Sequence, residues 1–187
     1  MKFRRLIGDF IRKRNPLDIE HIIIPIESAS LRFTSLRIAH ISDVHIPRCD
    51  FSPYKIADAV KRQNPDVIFL TGDMMDGKSK FDGPKIALLV SLMLKIAPIY
   101  AVSGNHERNR REYYKIWKTM LELRGVHFMD DKVTRFEKDG VTFVIVGIRD
   151  FNKKKDLEFD FSFLSEVEIL DDLSLSPKKC LEKTEMR

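Results

Sequence analysis

Asn64-Pro65-Asp66-Val67-Ile68-Phe69-Leu70-Thr71-Gly72-Asp73-Met74-Met75-Asp76 is the stretch on which the fold turns. Asn64-Pro65 closes whatever helix precedes it, because the residue before proline is pushed out of the α region. Val67 to Leu70 is apolar at every position and too short for a helix, so it reads as a buried strand. Gly72 then lets the backbone turn sharply out of the sheet. Carboxylates follow at once, at Asp73 and Asp76.

Working outward, the elements alternate. Upstream, Leu36 to Ile41 reads as a strand, and a helix is expected from Pro53, with Ser52 as N-cap, to about Gln63. Ile19 to Ile26 is β-branched and apolar and reads as a further strand. Downstream, a helix beginning near Pro84 carries Ile86, Leu89, Val90, Met93 and Leu94, and Pro98 closes it. Ile99 to Val102 forms the next strand. A third helix spans about Arg110 to Leu123 and ends at Gly125. Val133–Glu137 and Val141–Val146 read as a hairpin around Lys138-Asp139-Gly140. Strand, helix, strand, helix, strand means two linked βαβ units on a largely parallel sheet, hence an α/β fold. In the last 35 residues, Leu157 to Phe163 alternates like a strand and Leu164 to Leu175 has helical character.

In such sheets ligands bind beyond the carboxyl ends of the strands. Three successive strands deliver chemistry there: Ser42-Asp43-Val44-His45, then Thr71-Gly72-Asp73, then Ser103-Gly104-Asn105-His106-Glu107. Aspartate oxygen and neutral imidazole nitrogen suit Mn, Fe or Zn. Asp43 and His45 are two apart and share a side in an extended segment. Asp73, on the central strand, is placed to bridge two cations. His106 would either stabilise equatorial charge on a phosphoryl group or protonate the leaving oxygen.

Asp43-x-His45, Gly72-Asp73 and Gly104-Asn105-His106-Glu107, in this order, resemble the calcineurin-like metallophosphoesterase family, and Arg37 to His45 is most similar to its bacterial branch of small phosphodiesterases. The resemblance implies a four-layer α/β/β/α sandwich and a site for two divalent metal ions. It implies that Asp43 and His45 bind the first metal, that Asp73 bridges, that Asn105 binds the second, and that His106 is catalytic. It also implies a phosphoester substrate, with a phosphodiester favoured. His40 and Glu107 are candidates for support behind the ligands. His40 reads equally as a packed core histidine. Glu107 either orients His106 or caps the following helix. Asp76 reads as a loop or helix cap, and His21 and His127 as structural or exposed.

The family pattern continues with further histidines, whereas none of the five here lies beyond His127. The expectation from this is a phosphoesterase domain over residues 19–175 that is incomplete at its C-terminus, followed by a polar tail over 176–187. Loss of the remaining ligands would impair catalysis. The alternative is an inactive remnant or a non-catalytic peripheral membrane binder.

Charge limits the partners. The chain has 33 basic and 28 acidic residues; six basic and one acidic lie in residues 1–14, which leaves 27 of each elsewhere. No general nucleic-acid face is therefore expected. Within residues 1–14, Phe3, Leu6, Ile7, Phe10 and Ile11 form one helical stripe. Two readings stand: a helix lying on an anionic membrane, or a helix docked on the protein's own core. Two cysteines without a CxxC pair, and no apolar run of about 18 residues, fit a cytoplasmic protein, peripheral at the inner face of the membrane under the first reading. The oligomeric state is left open by the sequence.

Overall fold

The computed structural model describes residues 17–25 and 35–150. The segment 1–14, the strand and helix expected in the last 35 residues, and the tail lie outside them.

Four parallel strands form one sheet in the order β1 (Ile38–Ile41), β2 (Val67–Leu70), β3 (Ile99–Ala101), β4 (His127–Phe128). Between them run α1 (Pro53–Arg62), α2 (Gly83–Leu94), the short α3 (Asn105–Asn109) and α4 (Arg111–Glu122). A hairpin of β5 (Lys132–Lys138) and β6 (Val141–Gly147) makes a second, antiparallel sheet. The mixed α/β fold and parallel sheet match the sequence expectation.

Local signals explain the element ends. Ser52 accepts the Lys55 amide (3.2 Å) and Pro53 occupies the first helical position of α1. Asp82 does the same for α2, accepting the Lys85 amide (3.0 Å). The hairpin reverses through Asp139 and Gly140, both at positive φ.

The core has two compartments because strand side chains alternate. Ile68, Leu70, Ile99, Ala101 and Phe128 face the helices and pack on Ile56, Val60, Ile86, Leu89, Met93, Trp117 and Leu121. Val67 and Tyr100 face the other way and pack on Met129 and Ile145, with Phe69, Val102 and Phe136 alongside. The described residues thus supply helix layer, parallel sheet and hairpin layer. An ion pair fixes the hairpin to the sheet: Lys138 donates to Asp66 (2.7 Å) and to the Ser35 carbonyl (2.7 Å), while the Arg37 amide also donates to Asp66 (2.7 Å).

One expectation is corrected and one strand is added. Residues 19–25 form no strand; Ile22, Ile23 and Ile24 lie exposed, Ile23 at 92%. β-Branched composition describes a residue that suits a pleated surface, and among the described residues no strand pairs with this segment. Conversely, β4 is a strand of two residues that periodicity could not reveal. No helix among the described residues is long and apolar enough to cross a membrane.

Candidate metal centre

The three nominated loop tips meet at the carboxyl edge of the parallel sheet. Pairing between β1 and β2 does not stop where the strands end. The Thr71 amide donates to the Ile41 carbonyl (3.1 Å), Asp43 to Gly72 (3.2 Å), His45 to Asp73 (2.9 Å) and Ile46 to Met74 (2.8 Å). A parallel bridge between Ile46 and Met75 completes the run. This irregular ladder brings Asp43 and His45 alongside Gly72 and Asp73.

Maintaining it takes an unusual backbone. Asp43, His45 and Asp73 have φ of 55°, 49° and 52°, in the left-handed region. Each such residue costs about 1 kcal/mol or more, and strain of this kind gathers at functional sites. Of the six non-glycine residues with positive φ among those described, three are nominated metal ligands.

Glu107 joins the second tip to the third. It is fully buried and accepts the amides of Asp73 (2.8 Å), Met75 (3.0 Å) and Gly104 (3.0 Å). Burial raises its pKa, while the Met75 and Asp73 amides and the other hydrogen bonds pull it back part of the way. Asp73 accepts the His106 amide at Oδ1 (2.9 Å), which fixes its carboxylate at the start of α3.

His106 is held on its other side by Gly77, whose amide donates to Nδ1 (2.8 Å). An acceptor is required at Nδ1, so in the neutral ring the proton sits on Nε2. His45 and His106 lie with ring centroids 4.6 Å apart.

The donors converge. His45, Asp73 and His106 each bring one imidazole nitrogen or carboxylate oxygen to within 4.8 Å of the others. Asp43 Oδ1 is 3.6 Å from His45 Nε2. His45 Nδ1 is buried with no hydrogen-bond partner. A mixed nitrogen and oxygen donor set with an orphaned imidazole nitrogen fits a divalent transition metal. His106, nominated from sequence as catalytic, therefore stands inside the same cluster as two nominated ligands. Asn105, exposed, is the first residue of α3, next to Gly104, whose backbone touches Asp73.

The remaining nominations fall around this cluster. His40 is exposed on β1 and its Nε2 lies 2.6 Å from the Thr71 hydroxyl, two residues before Asp73. Asp76 is buried and closes its own loop: it accepts the amides of Ser79 (2.6 Å) and Lys78 (3.2 Å) and the Arg48 guanidinium (3.1 Å). The Ser79 hydrogen bond, then those of Arg48 and Lys78, hold its pKa well below the usual carboxylate range against the effect of burial. His21 is exposed, and His127 is exposed on β4 and stacks on Tyr100.

One cluster escaped sequence reading. Asp130, just past β4, accepts the Ser103 amide (2.7 Å), the Ser103 hydroxyl (2.5 Å) and the Tyr114 hydroxyl (3.1 Å). Burial and then the Asp130 carboxylate push the Tyr114 pKa up to about 12. Without recognising β4, nothing placed Asp130 beside Ser103.

Comparison with known proteins places the chain among its relatives. The chain is 32% identical over 124 residues to an uncharacterised metallophosphoesterase of Bacillus subtilis, YkoQ, covering 64% of this chain and 45% of that protein. The chain thus spans about half the length of the curated relative it matches. Among solved structures, phosphopantetheinyl hydrolase (PptH) from Mycobacterium tuberculosis aligns with a TM-score of 0.42 at 18% identity, over 76% of this chain and 55% of that one. A protein of unknown function from Aquifex aeolicus, AQ665, aligns at 0.36 and 15%, over 75% of each. A family model, calcineurin-like phosphoesterase, matches residues 36–179. With that match over more than half its length, and with its three loop tips gathered at one edge, the chain belongs to the calcineurin-like phosphoesterase family.

Proposed function

We propose that this chain hydrolyses a phosphodiester with the help of divalent metal ions, Mn, Fe or Zn. The convergence of His45, Asp73 and His106 beside an unpartnered buried His45 nitrogen carries this reading. Asp43, His45, Asp73 and Asn105 would hold two ions, with Asp73 shared between them. Such ions, when bound, polarise the phosphoryl group and make water more acidic.

The protein's own contribution is positioning and hydrogen-bond donation. Glu107 holds the Asp73 backbone and the Gly104 turn at fixed separation, so the two loops present their side chains to one point. Gly77 fixes the neutral His106 tautomer, which leaves Nε2–H as the ring's donor. That N–H donates a hydrogen bond to a phosphoryl oxygen, where negative charge builds in the transition state.

The test combines metal content with turnover. The purified chain, reconstituted with Mn²⁺, should retain metal and hydrolyse bis-p-nitrophenyl phosphate, and Asp73→Ala should lose both. Absence of bound metal together with equal background rates in the two proteins would refute the proposal. In the same reading, residues 1–14 attach the protein to the anionic inner face of the membrane. Co-sedimentation with phosphatidylglycerol vesicles should then fall when they are deleted.

A further inference from the structure

Beside His106 lies a loop with two exposed lysines that the chemistry above does not use. Gly77, whose amide meets His106 Nδ1 at 2.8 Å, is followed by Lys78 and Lys80, both exposed. Standard backbone dimensions put the Lys78 Cα within about 8 Å of the imidazole.

The loop is built rather than slack. Asp76 accepts the Lys78 and Ser79 amides from inside the turn, and Arg110 donates to the Ser79 carbonyl (2.6 Å) from the start of α4. Four carboxylates close to this loop or to His106 in sequence are engaged elsewhere. Asp76 is buried against Arg48, Asp82 caps α2, Glu107 takes three backbone amides, and Glu112 faces Arg110 at 3.8 Å. Lys78 and Lys80 have no carboxylate partner among the described residues, in a chain whose charges outside residues 1–14 balance. Two ammonium groups without a carboxylate partner, on a fixed loop whose Gly77 meets His106, attract anionic substrate.

We propose that the substrate of this site carries a second anionic group besides the phosphoester under attack, and that Lys78 and Lys80 bind that group on the His106 side. This rests on the phosphoesterase reading of the site. The shared chemistry is a bisphosphate or pyrophosphate, whether on a soluble ester or a lipid headgroup.

The experiment reads binding, so it does not depend on turnover. Calorimetry with the Mn²⁺-supplemented chain compares adenosine 3′,5′-bisphosphate with adenosine 5′-monophosphate. A parallel arm compares phosphatidylcholine vesicles doped with diacylglycerol pyrophosphate or with phosphatidic acid. The doubly charged probe should bind at least about fivefold more tightly in one arm, the scale of one or two charge-assisted contacts. The preference should vanish in Lys78→Ala/Lys80→Ala and persist in Arg135→Ala, a change on the hairpin. Preference in the soluble arm assigns a soluble ester; preference in the vesicle arm alone assigns a lipid. Equal affinities, no binding in either arm, or a preference that survives loss of both lysines would overturn the proposal. Failure of the phosphoesterase reading shows separately, as absent metal and absent hydrolysis.

Discussion

The backbone of Gly72 presses against that of Gly104. A Cβ built on Gly72 would stand 2.5 Å from Gly104 Cα, and one built on Gly104 would stand 2.6 Å from the Asp73 amide nitrogen. No side chain fits between the two turns, so both motifs need glycine for closeness. Gly72 also needs it for its φ of +93°.

Gly72→Ala and Gly104→Ala should each destabilise the protein by more than about 2 kcal/mol, since backbone must move to admit the methyl group. Gly125 is the control. Its φ is +87° but nothing lies within 4 Å of an added Cβ. Gly125→Ala should cost only the conformational strain, about 1–2 kcal/mol. Urea denaturation of the three variants checks the ranking.

Glu107→Gln should cost about 1–3 kcal/mol, because both carboxylate oxygens now accept backbone amides and the Gln NH₂, on whichever side it lies, cannot. Metal retention should fall with it, as the Asp73 and Gly104 turns lose their common anchor. Denaturation midpoints and metal content per chain measure both effects.

His106→Ala should leave metal content at its original level while lowering kcat by roughly 10²–10³, the range for loss of one hydrogen-bond donor to transition-state charge. Gly77 occupies Nδ1, so the neutral ring's Nε2 carries hydrogen and is not free as a ligand. A drop in bound metal matching the drop in rate would make His106 a ligand instead.

Acid should weaken the hairpin's attachment. Burial raises the Asp66 pKa, but Lys138 and the Arg37 amide outweigh it, and the net direction is down from 3.8. A depressed folded value means that the stabilisation is present above the unfolded pKa and is lost as pH falls below it. Asp66→Asn should therefore be less stable than the parent at neutral pH and should show a shallower loss of stability below about pH 4. Urea midpoints measured across pH 2–7 test the slope.

Much of the fold could be read from the chain because its signals are local. Ser52-Pro53 sets the start of α1, Asn64-Pro65 separates it from β2, and Lys138-Asp139-Gly140 turns the hairpin. The gathering of Asp43, Asp73 and Asn105 at one edge followed from parallel topology alone. What could not be read depends on partners distant in sequence. β4 exists because Tyr100 and Ala101 offer an open edge to His127 and Phe128. The Asp130 clamp on Ser103 and the Gly77 contact with His106 follow from packing. The isoleucines of residues 19–24 fail in the opposite sense, with strand composition and no strand to pair with among the described residues.

The carriers of the metal centre are fastened in two different ways. His45 and Ile46 are stitched to the β2 extension through main-chain amides, so that half of the centre behaves as a continuation of the sheet. The turn bearing Asn105 and His106 hangs on carboxylates instead, those of Asp73, Glu107 and Asp130. The two halves should differ in how readily their main chain opens. Amide hydrogen exchange at Gly104 and His106 should outpace that at His45 and Ile46.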